Sequence, residues 1–222
     1  MTDSPVAVTA NDTRDHALHM DRMYRYQRHI YDLTRKYYLL GRDEMIAGLQ
    51  VPPGGSLLEV GCGTGRNLAI ARHRFPTAEL FGLDISAEML ATAQAKLGAQ
   101  APLPRLQVAD ATAFRPADFG QQSFDRVMIS YALSMIPDWQ AAIDRAIEAV
   151  GPHGSLHIVD FGQQDQLPRW FRSALQAWLS RFHVTPRADL HAVLEDRAER
   201  FGLRLHFKSI ARGYAWHAVL QR

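Results

Sequence analysis

The 222-residue chain predicts an α/β fold: a seven-stranded sheet, mostly parallel, that ends in an antiparallel hairpin. Two observations carry this prediction. From residue 56 to residue 161, apolar runs of strand length alternate with segments of helical periodicity, as in a parallel sheet covered by helices. The last two apolar runs, 203–210 and 214–220, are joined by only three residues, and so short a link can form only an antiparallel hairpin.

The predicted elements follow one another in a regular order. Five buried strands precede the hairpin, at 56–60, 79–84, 105–110, 124–130 and 155–161. The helices between them end at residues that break helices: the first at Pro76, the second at Gly98 and the third at Gly151-Pro152. Two further helices, 168–182 and 188–201, precede the hairpin.

Composition excludes several classes of protein. Apolar residues make up 47% of the chain and charged residues 22%, the ordinary range of a globular protein. A net charge of +2 provides no global field for nucleic acid, and a single cysteine excludes an intramolecular disulfide and fits a reducing compartment. No run reaches the roughly 20 apolar residues that span a bilayer. We expect a cytoplasmic protein without a signal peptide, disordered over 1–20 and forming one domain over 21–222.

The most informative motif joins the first predicted strand to the first helix, and it reads Glu59-Val60-Gly61-Cys62-Gly63-Thr64-Gly65. Three glycines at alternate positions let bare backbone N–H groups approach a ligand at the start of a helix. A dinucleotide-binding loop needs its third glycine one residue later, where this chain has Arg66. A glutamate two residues before the first glycine also suits a cationic ligand better than a pyrophosphate.

The pattern E-x-G-x-G-x-G resembles motif I of class I S-adenosylmethionine (SAM) methyltransferases. The resemblance implies their Rossmann-like fold, SAM as the methyl donor and S-adenosylhomocysteine as its product. It also implies a cofactor site at the carboxyl ends of the first strands. The expected members of this site are Glu59, Gly61, Cys62, Gly63, Asn67, Asp84, Ile85, Met89, Asp110, Ala111 and Ser130.

Each polar member of this set has an alternative role. Asp84 lies at a strand end, where a carboxylate can accept both ribose hydroxyls; the alternative is a helix-capping or turn aspartate. Asp110 is expected near the adenine amino group, or as a simple turn acid. Glu59 is expected to orient the loop or to face the SAM ammonium, and Asn67 to cap the helix or to contact the ligand. Cys62 is expected to pack rather than to act as a catalytic thiol.

The segment 130–137, after the fourth strand, is where this family places groups that face the transferred methyl. It lacks the N/D-P-P-Y/F signature of relatives that methylate DNA or protein nitrogen, which argues against those acceptors. Tyr131 is a catalytic candidate, because an aromatic ring attracts a cationic amine by roughly 0.5–2 kcal/mol. A packing tyrosine beneath the loop is the alternative.

The segment before the first strand, residues 21–50, is rich in tyrosine and arginine and is expected to form a helical lid over the SAM cleft. Tyr31 and Arg42 are the candidates for binding the SAM carboxylate, and Tyr31 is also a catalytic candidate. Tyr24 and Tyr38 are expected on the acceptor side. An amphipathic helix that covers the sheet edge is the alternative.

Residues 168–182 predict a helix with a wide apolar stripe that includes Trp170 and Trp178. Between Gln166 and Arg187 there are four arginines and no acid, a pattern that an anionic membrane surface attracts. A core-facing helix is the alternative, and both can hold if one edge touches lipid. We expect peripheral contact with the inner face of the membrane, with the two tryptophans on the substrate or membrane side.

A more specific resemblance covers about residues 19–220. The run R-x-I-Y-D-L-T-R-K-Y-Y-L-L-G-R at 28–42, together with the glycine loop and 168–190, is similar to bacterial N-methyltransferases of betaine-lipid (diacylglyceryl-N,N,N-trimethylhomoserine) synthesis. The resemblance implies three successive methylations of the amine of a diacylglycerylhomoserine lipid. It also implies, as a partner, the enzyme that makes this lipid.

Other functions stay open beside this one. The nearest alternatives are a methyltransferase that acts on phosphatidylethanolamine, on another small molecule or on a quinone, and a non-catalytic SAM-binding partner protein. An NAD-dependent dehydrogenase is disfavoured by Arg66. The histidine pairs at metal-like spacing have no cysteine or acid to complete a ligand set, so no metal is expected.

Overall fold

The computed structural model describes residues 39–99, 101–182 and 184–222, and in this part of the chain strands alternate with helices. The strands are β1 Ser56–Val60, β2 Glu79–Asp84, β3 Arg105–Val108, β4 Phe124–Ser130, β5 Val150–Phe161, β6 Arg204–Ile210 and β7 Ala215–Gln221. The helices are α1 Arg42–Gly48, α2 Arg66–Arg74, α3 Ala87–Leu97, α4 Trp139–Glu148, α5 Arg169–Ser180 and α6 Leu190–Phe201, with a 3-10 helix at Pro116–Phe119.

The seven strands form one sheet in the order β3-β2-β1-β4-β5-β7-β6. The first five strands pair parallel, and β7 pairs antiparallel with β5 and β6. The strand order reverses between β1 and β4, because the chain first builds outward through β2 and β3 and then returns to the other side of β1. In open α/β sheets, ligands bind outside the strand carboxyl ends at such a reversal.

The predicted fold class is confirmed, and two strands differ from their predicted bounds by two residues or more. β3 ends at Val108 rather than at residue 110, and β5 begins at Val150 rather than at residue 155. Val150 pairs with Phe124, and the register then shifts so that Arg126 pairs with Ser155. A bulge of this kind accommodates extra residues in one strand without ending the pairing.

Two apolar layers cover the faces of the sheet. One includes α4 and α6 and contains Phe81, Phe119 and Phe124, whose rings meet edge-on with centroid distances between 5.1 and 6.0 Å. The other packs α1, α2, α3 and the end of α5 on the opposite face, with Met45 and Leu179 almost completely buried. Burial on both faces explains why the strand sequences are nearly continuous apolar runs.

Arg126 on β4 ties α1 to the sheet. Its guanidinium donates to the carbonyls of Leu49 (2.6 Å) and Gln50 (3.1 Å), just after α1 ends. The chain before α1 is brought to the carboxyl end of β4, where the Tyr131 hydroxyl donates to the Leu40 carbonyl (2.6 Å). The sequence just before α1 and the segment after β4 therefore meet at the edge of the sheet where a ligand is expected.

Candidate functional site

The glycine loop, residues 61–65, lies between the carboxyl end of β1 and the start of α2. Gly61, Gly63 and Gly65 have φ angles of 73°, 52° and 70°, in the left-handed region that disfavours residues with a Cβ. The N–H groups of Gly61 and Cys62 both donate to the Leu83 carbonyl at 2.9 Å, which anchors the loop to β2. The alternation of glycines in the sequence is thus a requirement of the backbone.

Asp84, at the end of β2, is bonded to the glycine loop. Its Oδ2 accepts the Gly63 N–H (2.8 Å), and its Oδ1 accepts the Ser86 N–H (2.9 Å). The Ser86 hydroxyl in turn accepts the Met89 N–H (3.3 Å) and caps α3. Ile85 is half-buried and Met89 is buried beside the same strand end. The carboxylate is therefore held in one orientation at the crevice where ribose binding was predicted.

Glu59 and Asn67 are bonded to each other. The side chain of Glu59 is almost fully buried on β1, and the Asn67 Nδ2 donates to its Oε1 at 2.6 Å. This contact joins the end of β1 to the first turn of α2 beneath the loop. Of the roles predicted for Glu59, the contact favours orientation of the loop. It also gives Asn67 a partner other than the helix end.

Cys62 is buried at the base of the same loop. Burial, and then the negative charges of Asp84 and Glu59, raise the pKa of its thiol well above the ordinary value. A Cβ added at Gly82 would lie 2.9 Å from the Cys62 sulfur, which shows how closely the thiol packs against β2. A thiol with a raised pKa is a poor nucleophile, so this environment suits a packing residue.

Asp110 follows β3 and closes a turn. Its Oδ1 accepts both the N–H and the hydroxyl of Thr112, each at 2.8 Å. This geometry is that of the simple turn acid, the alternative role expected for Asp110. A contact between Asp110 and the adenine amino group stays a prediction. The neighbouring Ala111 is buried in the core layer beneath the turn.

The post-β4 loop, residues 131–137, touches the glycine loop. A Cβ added at Gly61 would lie only 2.7 Å from the Cβ of Ala132. Tyr131 begins this loop with a left-handed φ of 54°, an unusual conformation for a residue with a side chain. Its ring is buried and meets the Phe161 ring edge-on at 4.7 Å. These contacts are those of the packing tyrosine, and a catalytic role for Tyr131 stays a prediction.

Buried polar groups lie below the post-β4 loop. Ser130 is buried, and its hydroxyl has no hydrogen-bond partner among the residues that the structure describes. Asp160 of β5 is buried, and its carboxylate accepts the N–H groups of Ser134 (3.1 Å) and Phe161 (2.7 Å). Burial raises the pKa of Asp160 to about 6, although the N–H donors and the charge of Arg187 oppose the rise.

Sequence reasoning missed Asp160, and the same signal that found Asp84 would have found it. Asp160 is an acid next to the end of an apolar run, Ile158-Val159-Asp160-Phe161. His157, three residues earlier, is also buried, and burial and the charges of His217 and Arg126 lower its pKa to about 3.

The remaining predicted residues are placed as follows. Tyr24, Tyr31 and Tyr38 lie outside the described residues, so their roles, and most of the predicted lid, stay predictions. Arg42 begins α1, where it is buried and its Nε donates to Asp43 (2.9 Å). Trp170 is 74% exposed on α5, whereas Trp178 is half-buried with its ring 5.0 Å from that of Phe182.

Two features are absent from the described residues, 39–99, 101–182 and 184–222. These residues contain no group of three or more His, Cys, Asp or Glu arranged to hold a metal ion. No helix in them has both the length and the apolar character needed to cross a membrane.

Comparison with known proteins shows which proteins this chain resembles in sequence. Residues 57–154 match the methyltransferase domain family. The chain is 33% identical over 115 residues to the trans-aconitate 2-methyltransferase of Variovorax paradoxus, covering 52% of this chain and 42% of that one. It is 27% identical to the 2-phytyl-1,4-naphtoquinone methyltransferase of Trichormus variabilis, over 76% of this chain and 75% of that one. It is 32% identical to the phosphatidylethanolamine N-methyltransferase of Cereibacter sphaeroides, over 60% and 62%.

Solved structures share the fold over nearly the whole chain. The methyltransferase in complex with the Haloferax volcanii Trm112 activator superposes with a TM-score of 0.69 at 17% identity, over 90% of this chain and 97% of that one. The plantazolicin methyltransferase BpumL, solved with SAH, superposes with a TM-score of 0.66 at 13% identity, over 96% and 99%. The chain spans less than half the length of the Variovorax relative and less than two thirds of the Cereibacter relative, but three quarters or more of the other proteins named.

The domain match and the shared fold support a class I SAM-dependent methyltransferase domain, and its cofactor is SAM. The residues present fit this cofactor. Added Cβ atoms at Gly61 and Gly65 would collide with Ala132 and Leu97, so glycine at these positions keeps the loop close to its neighbours, and the Asp84 carboxylate is held beside the loop. The role of each residue toward SAM stays a prediction.

A first prediction compares two glycines with nearly the same backbone. Gly61 and Gly54 have φ angles of 73° and 72°, so an alanine costs roughly 1–2 kcal/mol of backbone strain at either position. Only at Gly61 would the new Cβ meet the post-β4 loop, whereas at Gly54 it has nothing within 4 Å. We expect Gly61→Ala to weaken SAM binding about tenfold, since overpacking typically costs 1–3 kcal/mol.

Calorimetric titration with SAM measures this difference, and Gly54→Ala is the matched control. Equal SAM affinity in the two variants would show that contact between the two loops does not shape the cofactor site.

A second prediction concerns Asp160 and pH. Its native pKa of about 6 exceeds the ordinary value of 3.8, so the folded state binds this proton more tightly than the unfolded state. The contribution of Asp160 to stability is therefore most favourable below about pH 4, and it is lost as pH rises through about 6. The uncharged Asp160→Asn variant should gain stability relative to wild type over this interval, by up to about 3 kcal/mol.

Urea denaturation of both proteins from pH 4 to pH 7 measures the gain. His157 acts in the opposite direction, because its lowered pKa makes stability rise with pH, but both proteins share this effect and it cancels in the difference. A difference between the two free energies of unfolding that does not change with pH would contradict the prediction.

Proposed function

We propose that the chain is a SAM-dependent N-methyltransferase that methylates the amine of a diacylglycerylhomoserine lipid three times, giving the betaine lipid. The observation that carries methyl transfer is the Asp84 carboxylate bonded to the glycine loop at the reversal point of the sheet. A lipid amine as acceptor is supported by the resemblance at residues 28–42 and by the exposed face of α5. The phosphatidylethanolamine N-methyltransferase among the relatives acts on a lipid amine as well.

The chain's own groups bind and orient the reactants. In the proposed site Asp84 accepts the ribose hydroxyls with the lone pairs that the Gly63 and Ser86 N–H groups leave, and the glycine loop lets the donor approach the backbone at the start of α2. SAM supplies a methyl group on a sulfonium, which an amine lone pair attacks in line. Since such a displacement needs little covalent help, holding the reactants collinear can supply several kcal/mol. The glycine loop and the post-β4 loop, which touch at Gly61 and Ala132, are the backbone that holds them.

The chemistry of the acceptor limits the number of rounds. The first two methylations produce ammonium ions that still bear a proton on nitrogen, and loss of this proton restores the lone pair for the next round. The third begins from a tertiary amine and ends in a quaternary ammonium without a lone pair. Three rounds therefore need no counting device in the protein.

The α5 surface, defined as the exposed side chains Arg169, Trp170 and Arg181, is the proposed contact with an anionic membrane. At 100° per residue Trp170 and Arg181 lie on nearly the same side of the helix. The opposite side packs on the core through Leu179, with Phe171, Leu175 and Trp178 half-buried. Because the helix is already held by its apolar side, the exposed Trp170 and the arginines are available to lipid headgroups.

This placement leads to the proposed location and partner. The protein would act at the inner face of the membrane, next to the enzyme that supplies diacylglycerylhomoserine. Phosphatidylethanolamine is the second candidate acceptor, because a relative that is 32% identical acts on it. A quinone is less suited, since carbon methylation needs a base and no histidine occurs among residues 131–137.

A third prediction tests the acceptor. Purified protein is mixed with SAM and vesicles that contain diacylglycerylhomoserine, phosphatidylethanolamine or a demethylated quinone, and the lipids are analysed by mass spectrometry. We expect one, two and then three methyl groups on diacylglycerylhomoserine.

Asp84→Asn should lower SAM affinity about tenfold to hundredfold, because hydrogen bonds to charged groups contribute 1.5–3 kcal/mol. Asp189→Asn, at the start of α6, is the matched control.

Methylation of phosphatidylethanolamine alone would replace the proposed acceptor with the second candidate. SAM binding without methylation of any acceptor would indicate the non-catalytic SAM-binding protein.

A fourth prediction tests the α5 surface with sedimented vesicles. Arg169→Ala should weaken binding to phosphatidylglycerol vesicles about fivefold, since a basic residue near an anionic membrane contributes about 1 kcal/mol. Binding to phosphatidylcholine vesicles should change little. Arg204→Ala, an exposed arginine on β6, is the matched control. If both variants bind phosphatidylglycerol as well as the wild type does, the α5 surface is not the membrane contact.

A further inference from the structure

Two charged side chains from different parts of the chain hold the backbone of the post-β4 loop. From β5, the buried Asp160 carboxylate accepts the Ser134 N–H at 3.1 Å. From the connection between α5 and α6, Arg187 donates through Nε to the Leu133 carbonyl (3.0 Å) and through Nη2 to the Ile136 carbonyl (2.6 Å). All three bonds go to the backbone of the loop, so they restrict its path whatever side chains it carries.

The connection that bears Arg187 is itself attached to α5 and to the same loop. Val184 is buried, and its N–H donates to the Leu179 carbonyl near the end of α5 (3.2 Å). The Thr185 N–H donates to the Ser134 carbonyl (2.9 Å). Ser134 is thus bonded on its N–H side to β5 and on its carbonyl side to the α5–α6 connection.

The guanidinium of Arg187 is suited to this place by its shape. Its planar fork can donate to two carbonyls of one turn at once, which a lysine ammonium on a flexible stem cannot match. The carbon at the centre of the guanidinium also lies 5.9 Å from the centroid of the Trp139 ring, at the start of α4. One side chain therefore connects α4, the post-β4 loop and the end of α5.

We propose that Arg187 is a positioning residue for methyl transfer: it holds the post-β4 loop in the place where the acceptor amine must meet the donor methyl in line. The inference rests on the proposed function in one respect, that the acceptor binds beside the post-β4 loop. It does not depend on which lipid is the acceptor. Arg187 is bonded to the backbone of the post-β4 loop and not to the glycine loop, which this loop meets at Ala132, so its loss acts more strongly on the acceptor than on the donor site. A misplacement of about 1 Å can cost about a hundredfold in rate.

The test compares Arg187→Met and Arg187→Lys with the wild type, with Arg204→Met as the matched control. Steady-state kinetics use whichever acceptor the wild type methylates, calorimetry measures SAM affinity, and hydrogen exchange follows the amides of Ser134 and Thr185. For Arg187→Met we expect kcat/KM for the acceptor to fall about tenfold to hundredfold, a clearly smaller fall in SAM affinity, and faster exchange at both amides. Arg187→Lys should lie between Arg187→Met and wild type, and Arg204→Met should behave as wild type.

Each other outcome overturns the proposal. Wild-type acceptor kinetics in Arg187→Met, or SAM affinity that falls as far as acceptor kcat/KM, would show that Arg187 does not position the acceptor side. If Arg187→Met does not fold, Arg187→Lys provides the test. Wild-type acceptor kinetics in that variant would contradict the role of the planar guanidinium in holding the loop. A wild type that methylates no diacylglycerylhomoserine contradicts the proposed function alone, since the exchange comparison still tests whether Arg187 holds the loop.

Discussion

The carboxylate of Asp84 is the contact on which the cofactor end of this molecule depends. Its two oxygens accept N–H groups from Gly63 on one side and Ser86 on the other, so one side chain joins the glycine loop to the start of α3. Hydrogen bonds to an ionised acceptor are roughly twice as strong as neutral ones. A loop of three left-handed glycines has much conformational freedom to lose, and here an acid from the neighbouring strand restricts it.

The same kind of arrangement recurs at the post-β4 loop. The post-β4 loop has a strained first residue, Tyr131, and its backbone is held by Asp160 and Arg187, which come from distant parts of the chain. Because these bonds go to the backbone, the side chains of the loop can differ without loss of its path. Such a loop suits a chain whose relatives include a trans-aconitate methyltransferase, a quinone methyltransferase and a phosphatidylethanolamine methyltransferase.

Much of the fold could be predicted because it follows from periodicity and link length. The seven strands and the hairpin were expected, but the first residues of β5 were not, since Gly151-Pro152 reads locally as a break and only pairing with Phe124 makes Val150 part of the strand. In the candidate site, the sequence predicted the glycine loop and Asp84, and the structure joins them by a hydrogen bond. Asp160 was missed although it too is an acid beside the end of an apolar run; what the sequence does not record is that its carboxylate meets the post-β4 loop.

By itself the sequence determined the order of strands and helices, the hairpin and the need for glycine at alternate positions of one loop, because these follow from local periodicity, link length and backbone sterics. Only the tertiary structure decided which side chains meet. It paired Asn67 with Glu59, bonded Asp160 and Arg187 to the backbone of one loop, and left Trp170 exposed while it half-buried Trp178. Such contacts join residues far apart in the chain, and no local pattern records which elements will lie against each other.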